Sequence, residues 1–353
     1  MRPSIFLTAL FTSSTVSALN ILLGNDDGFA SAQLRELKNL LVADGHKAIV
    51  VAPADNESGQ GGRAVYTNNK TLAVDSEFGI VKAGAPSLGR SPDDPDVWYY
   101  NGTPAAVTFV ALDYVIPNYY DNITIDLYTG GPNFGGNLGP FLYTLSGTMG
   151  GTYAAIGRGI PGIAFSGGNS EQRSYTWINK TTPSGHPDPA IIQAQLARTI
   201  VHQLISNTQP GQPLLPPGYG LGVNTPLISS LTDDSCVNPP FIPTRLTGGA
   251  FTDTAVYNAT SGLFTYGNIA PAALNRPING NFALPGETEV VDGGCYSSVS
   301  VFTVDYDAPL GPDQGRIRKA LEPTVQFQHP WAMMSKEKRD IHEWERSSPL
   351  RHE

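Results

Sequence analysis

The chain has 353 residues, of which 40% are hydrophobic and only 15% charged, with 38 glycines and 29 prolines. That length and composition suit one large packed domain, or a domain with an extension, richer in loops than in long helices. The formal net charge of −9 argues against a nucleic-acid groove or an anionic membrane surface as partner. Small anionic substrates remain allowed, because a bound cation reverses the local sign.

Residues 1–18 begin Met-Arg, continue as a short apolar run and end in Val16-Ser17-Ala18. This is the grammar of a secretory signal peptide, cut after Ala18. The run is too short and too rich in Ser and Thr to span a bilayer, and no later stretch is long and apolar enough. A soluble secreted protein is expected, in the extracellular or cell-wall space. Cys236 and Cys295 are the two cysteines and form a candidate disulfide; two independent buried thiols are the alternative. N-glycosylation sequons begin at Asn56, Asn69, Asn101, Asn122, Asn179 and Asn258.

The chain proper opens on Ile21-Leu22-Leu23-Gly24-Asn25-Asp26-Asp27-Gly28. A short apolar run ends in Asn-Asp-Asp-Gly, and a helical pattern follows from about Ser31 to Asp44. Leu34, Leu37, Leu40 and Leu41 share one stripe, with Arg35, Glu36 and Lys38 outside. Gly45 stops the helix, and His46 reads as a helix-end residue. Ala48–Ala52 is a continuous apolar run closed by Pro53, the pattern of a buried parallel strand. Strand, helix and strand make a right-handed βαβ unit. Ligands of open α/β sheets bind beyond the carboxyl ends of the strands, where Asp26 and Asp27 stand. Two adjacent carboxylates stay ionised together most easily with a cation between them, so a hard-metal site is expected; a simple helix-capping loop is the alternative.

The second strand feeds Asp55-Asn56-Glu57-Ser58-Gly59-Gln60-Gly61-Gly62-Arg63. This Gly-rich loop lacks the Gly-Lys-Ser/Thr ending of a nucleotide P-loop and follows the wrong strand for a dinucleotide fingerprint. Arg63 is a phosphate candidate or a solvated loop residue. Ser91–Asp96 reads as an acidic surface loop. Gly102-Thr103-Pro104 opens a helix to about Tyr114. Ile123–Tyr128 reads as a strand ending in a second glycine-rich loop, 129–139. Ser146-Gly147-Thr148 then opens a small-residue helix to about Arg158. Hydroxyls and free N–H groups at a helix start suit an oxyanion or phosphate, with plain N-capping as the alternative. A strand at 160–166, a helix from Asp188 and a strand at 221–228 follow. From about 229 to 315 the pattern is short β segments, an extension packed on the sheet or on a second subunit.

Residues 316–353 differ in composition, with eight basic against six acidic residues, where 19–315 has thirteen against twenty-five. This tail is read as disordered, as a partner-binding segment or as a gene-model artefact. It lacks metal-ligand spacing.

Leu22–Gly28, Val51-Ala52-Pro53 with Asn56 and Ser58-Gly59, Gly102-Thr103-Pro104-Ala105, Gly131-Pro132-Asn133 to Gly139, and Ser146-Gly147-Thr148 stand in one order. Together these boxes resemble the SurE (survival protein E) phosphatase and nucleotidase family, in its secreted fungal-type branch, over about residues 20–310. The resemblance implies a Rossmann-like α/β core: a mostly parallel sheet with helices on both faces, carrying the β-rich C-terminal extension. It implies a divalent-metal phosphomonoesterase acting on nucleoside 5′- and 3′-monophosphates, with some members acid phosphatases. By motif position the metal ligands would be Asp26, Asp27, Ser58 and Asn133, and the phosphate contacts Asn137, Ser146, Gly147 and Thr148. It also implies a homodimer or higher homo-oligomer, partly through extended C-terminal segments. Two departures stand out: Gly130 replaces the usual Ser before the Gly-Pro-Asn box, and the loop 59–63 carries fewer Ser and Asn.

The residues themselves agree. Two carboxylates, a hydroxyl and an amide oxygen form an all-oxygen set that suits Mg²⁺, Mn²⁺ or Ca²⁺ over zinc. No Ser-His-Asp or Cys-His pairing is readable, so direct water attack is expected, with Asp26 a candidate base. The alternatives are a non-catalytic phosphate- or nucleotide-binding protein of the same fold, and a sugar-nucleotide transferase, for which the region after 229 lacks a second nucleotide-binding domain.

Overall fold

The computed structural model describes residues 18–169, 171–232, 236–246, 253–268, 284–307, 311–322 and 324–325. All but Ala18 of the expected signal peptide, and the tail from 326, lie outside the described residues. In chain order the elements are β1 (Asn20–Gly24), α1 (Ala32–Ala43), β2 (Lys47–Pro53), β3 (Leu88–Arg90), β4 (Val97–Tyr100) and α2 (Pro104–Val110). A wider helical turn at Ala111–Val115 joins α2 to α3 (Ile116–Tyr119). Then come β5 (Leu127–Phe134), α4 (Gly139–Leu145), α5 (Gly147–Ile156), β6 (Gly162–Asn169), α6 (Pro189–Asn207) and β7 (Tyr219–Ile228). The extension holds β8 (Phe241–Thr244), β9 (Asp253–Asn258), β10 (Leu263–Asn268), α7 (Glu287–Asp292) and β11 (Ser297–Thr303). A first compact unit runs to Val304, and a second, from Asp305, contains α8 (Pro312–Ala320).

Nine strands form one sheet in the order β3-β4-β2-β1-β5-β6-β7-β11-β8. From β4 to β7 every neighbour is parallel, and antiparallel pairs occur at β3–β4 and β7–β11. The expected mostly parallel Rossmann-like sheet is therefore present. β1 pairs with β2 on one side and β5 on the other, so the strand order reverses at the end of β1, the point where such sheets take ligands. Ile21, Leu22, Leu23, Ile49 and Val50 are fully buried, as strands covered on both faces require. Leu34, Leu37 and Leu41 of α1 pack with Ala194, Ala197 and Val201 of α6 in one core. Val107 and Ala111 pack with Ala155 of α5 in the other. Helices thus cover both faces, as expected.

Several local expectations need correction. Arg35 and Lys38 are buried, not solvated: they pair with Asp93 (2.5 Å) and Asp94 (2.6 Å). The acidic loop folds back over α1, whose cations offset its charge. The strand expected at 123–128 begins at Leu127 and runs through the glycine-rich box to Phe134. Its pairing with β6 shifts register between Gly130 and Asn133, which is how a strand accommodates that box. A helix not foreseen, α4, fills the gap before α5. In the extension, β11 slots between β7 and β8. Cys236 and Cys295 are joined in a disulfide with Cα atoms 5.3 Å apart, tying the segments ahead of β8 and β11. Among the described residues β9 and β10 pair only with each other.

Candidate functional site

The turn after β1 is built to hold two carboxylates still. Asn25 Nδ2 donates to the Gly28 carbonyl (3.0 Å) and to Ser31 Oγ (2.8 Å). Gly28 takes φ +94, a conformation that favours glycine. Asp26 and Asp27, between these anchors, are 2% and 1% exposed. Asp26 Oδ1 accepts from the Thr148 hydroxyl at 2.5 Å. Asp27 Oδ2 accepts from the Phe134 N–H at 2.7 Å, and Oδ1 from Gln172 Nε2 at 3.2 Å. The ends of β1 and β5, the start of α5 and the segment after β6 therefore meet at one acidic pair.

Burial pushes the Asp26 carboxyl up from its ordinary value, while the Thr148 hydroxyl and the N–H groups of Thr148 and Gly147 pull it down. Asp27 is pushed well above the usual range, by burial first and then by the charges of Asp26 and Glu77. Glu77 is itself raised to about 7 by burial and by Asp55. Three carboxyls in conflict form a locus of strong negative potential, and a cation relieves that conflict.

Asn133 supplies the sharpest sign. It is 7% exposed, and its Nδ2 donates to the carbonyls of Phe134 (3.2 Å) and Gly135 (2.9 Å). Its Oδ1 is buried with no hydrogen-bond partner. Buried carbonyl oxygens are ordinarily satisfied, so one left open next to Phe134, whose N–H binds Asp27, is where a cation ligand belongs.

The other expected residues divide. Ser58 is exposed, and its N–H donates to Asn56 Oδ1 (2.8 Å). Its loop is nevertheless docked on the turn, because the Glu57 N–H donates to the Asp26 carbonyl at 2.7 Å. No hydrogen bond ties the Ser58 hydroxyl to either carboxylate among the described residues. Asn137 points inward: its N–H donates to Asn224 Oδ1 (2.7 Å) and its Nδ2 to Ser166 Oγ (2.7 Å). Ser146 Oγ accepts from the Met149 N–H (3.2 Å), capping α5. The capping reading of this box is thus realised by Ser146, while the Thr148 hydroxyl orients Asp26. At Gly147 a Cβ would stand 2.8 Å from Asp26 Cβ and from Pro104 Cγ, so only glycine lets α5 approach this closely.

A cleft of about 270 Å³ along the loop after β2 is lined by Glu57, Gln60, Arg63, Tyr66, Asn101 and Thr103 among others, and by neither carboxylate of the pair. Arg63 Nη1 donates to Gln60 Oε1 (2.9 Å), and the Arg63 carbonyl accepts from the Thr103 hydroxyl (2.5 Å). Thr103 thus clamps the loop after β2 to the start of α2. His46 Nδ1 accepts from the Leu19 N–H (3.2 Å), a helix-end role as expected.

A family model described as Survival protein SurE matches residues 21–245. An acid phosphatase of Yarrowia lipolytica is 43% identical over 296 residues, covering 83% of this chain and 81% of that protein. The chain belongs to the SurE family. A 5′-nucleotidase SurE of Acinetobacter baylyi is 30% identical over 214 residues, 60% of this chain and 68% of that protein. The crystal structure of the SurE protein from Aquifex aeolicus superposes with a TM-score of 0.53 at 22% identity, covering 86% of this chain and 98% of that one. The SurE fold is thus shared across low identity.

Sequence reasoning missed Glu77 and Gln172. Gln172 had a usable signal, since it follows a Gly-Gly pair at a strand end; Glu77 had none, lying in a stretch without periodicity.

Proposed function

We propose that this protein is a divalent-metal-dependent phosphomonoesterase that hydrolyses nucleoside monophosphates or related phosphate monoesters by direct attack of water. The observation that carries the reading is the buried Asp26–Asp27 pair with the unpartnered Asn133 Oδ1 at the sheet's switch point. This all-oxygen set fits Mg²⁺ or Mn²⁺. Asp26, Asp27 and Asn133 would hold the ion, and Ser58 would join them if its loop closes. The bound ion supplies a Lewis acid that polarises a phosphoryl oxygen and lowers the pKa of a water.

The chain's own residues do the rest. The Thr148 hydroxyl fixes the rotamer of Asp26, which accepts the proton of the attacking water. The new P–O bond forms as the ester P–O bond breaks; the leaving oxygen takes a proton from solvent water, and Asp26 returns its own to solvent. The N–H groups of Gly147 and Thr148 steady the Asp26 carboxylate, and the positive end of the α5 dipole favours an anion placed beside it. Both cysteines are in the disulfide, and His202 lies on Asp44, so neither offers a nucleophile–base pair. The names of the relatives, an acid phosphatase and 5′-nucleotidases, support the reaction class. The Arg63–Tyr66 cleft has the polar and aromatic lining that a nucleoside leaving group takes.

Phosphate release from a panel of nucleoside monophosphates and one small aryl phosphate, after chelation and again after adding Mg²⁺ or Mn²⁺, tests this. Release that vanishes with chelation and returns with metal is expected. A folded sample inactive with every metal and substrate would leave the non-catalytic binding protein as the better reading.

We further infer a secreted homo-oligomer. The disulfide, and the exposed side chains of Asn56, Asn69, Asn122, Asn179 and Asn258, support passage through an oxidising, glycosylating compartment. The β9–β10 hairpin exposes Val256, Tyr257, Leu263 and Phe264. A lone two-stranded hairpin is marginal in water, which supports a second copy as its cover. Native mass spectrometry of protein recovered from culture medium should find at least two copies, each beginning at Leu19; a monomer or an uncut chain would count against this.

A further inference from the structure

Glu287 opens α7, some forty residues beyond the span that the family model matches. Its side chain is 1% exposed. Oε1 accepts from the Gly139 N–H at 2.9 Å, and Oε2 from Ser300 Oγ at 3.1 Å. Ser300 Oγ lies 2.7 Å from Thr244 Oγ1, so the carboxyl is braced by both β11 and β8. Gly139, at φ +79, is the hinge where the glycine-rich box turns into α4. α4 in turn delivers Ser146, the cap of α5.

Side-chain oxygens hold three backbone N–H groups of the box, beside the Gly135 N–H on the Gly167 carbonyl. Its start is held where the Phe134 N–H meets Asp27, its middle where the Asn137 N–H meets Asn224, and its end on Glu287. The first two anchors come from within the matched span. The third is a buried carboxyl; burial raises it to about 8, against the Gly139 N–H and the Ser300 hydroxyl that pull it down. An apolar side chain there would leave the Gly139 N–H and the Ser300 hydroxyl without their acceptor. A carboxyl that meets both at a hinge of the site points to a role in geometry.

We propose that Glu287 is a positioning residue for the phosphate ester: by accepting the Gly139 N–H it sets the register of the Asn133–Gly139 box and of the α5 start against Asp26 and Asp27. The proposal rests on the phosphomonoesterase reading for the identity of the ligand. It assigns to the C-terminal extension a direct part in shaping the site.

The test uses the full-length, metal-loaded protein with Glu287→Gln and Glu287→Leu. KM and kcat for a nucleoside monophosphate, the dissociation constant of inorganic phosphate and the melting temperature are read together. Gln keeps a carbonyl for Gly139 and donates to Ser300, so it should stay within about twofold of wild type. Leu should raise KM and the phosphate dissociation constant about tenfold, the loss of one buried hydrogen bond, with kcat changed little and the melting temperature a few degrees lower. A Leu variant that binds phosphate as wild type does would overturn the proposal, as would a Gln variant as impaired as Leu. Should the Leu variant fail to fold, Ser300→Ala, which loosens Oε2 alone, should raise KM about threefold; no change there also counts against it. Because phosphate binding is read apart from turnover, a wild type without turnover would defeat the enzyme reading and still leave this one decidable.

Discussion

Asp27→Asn is expected to abolish phosphate release, by about 10³-fold or more in kcat, while the metal-free variant melts at or above the wild-type temperature. The two effects have one cause. Asp27 is 1% exposed and feels the charges of Asp26 and Glu77, so without a cation its charge is a liability to the fold. Asparagine keeps a carbonyl for the Phe134 N–H, and Gln172 can turn its amide to accept from the new Nδ2. The fold therefore loses a repulsion and only the long, exposed Asn56 Nδ2–Gln172 Oε1 bond of 3.4 Å. A cation, by contrast, loses a charged ligand. Adding Mg²⁺ or Mn²⁺ at about 100 times its dissociation constant should stabilise wild type by about 2.7 kcal/mol and the variant much less. Unchanged phosphate release from Asp27→Asn, or an undiminished metal shift, would remove Asp27 from the centre.

The second large effect is expected at Gly147, where adding one methyl should cost about 10²-fold in kcat/KM. The new Cβ meets Asp26 Cβ at 2.8 Å, Pro104 Cγ at 2.8 Å and Asp26 Oδ2 at 3.0 Å. None of these is the far end of a flexible side chain. α5 must retreat, and Thr148 with it, so the 2.5 Å bond that orients Asp26 is lengthened. Displacements of about 1 Å at reacting groups cost about 10²-fold, and overpacking costs about 1–3 kcal/mol of stability. Gly62→Ala is the matched control, since nothing lies within 4 Å of its Cβ; it should leave kcat/KM within about twofold. Equal activity of the two variants would show that the close approach of α5 does not set the geometry of Asp26.

The parts of this molecule that were legible in the sequence are those whose signal is local. A buried strand ending in Asn-Asp-Asp-Gly, a leucine stripe closed by Gly45 and a Pro-started helix each carry their own periodicity or punctuation, and each lies where it was expected. In the sequence the box at 130–134 reads as loop, because glycine and proline suggest turns. Pairing with β1 and β6 overrides that preference. Arg35 and Lys38 were assigned to solvent because their helix looked amphipathic, and their partners sit more than fifty residues away. Glu77, Gln172 and Glu287 share this difficulty. Each reaches the site from a separate segment, and spacing within a segment carries no trace of what the fold places opposite it.

The position of β11 has a consequence for how much of the chain is needed. It is the last strand of the sheet in sequence, yet it lies between β7 and β8 rather than at the rim. A chain cut after Arg245 would retain all the residues that match the family model and would still be missing an inner rung. β8 would have nothing to pair with, and β7 would present its backbone along most of its length, a surface prone to self-association. During synthesis the sheet stays open until Thr303 has emerged. The smallest portion able to close the sheet therefore ends beyond the point where family resemblance stops.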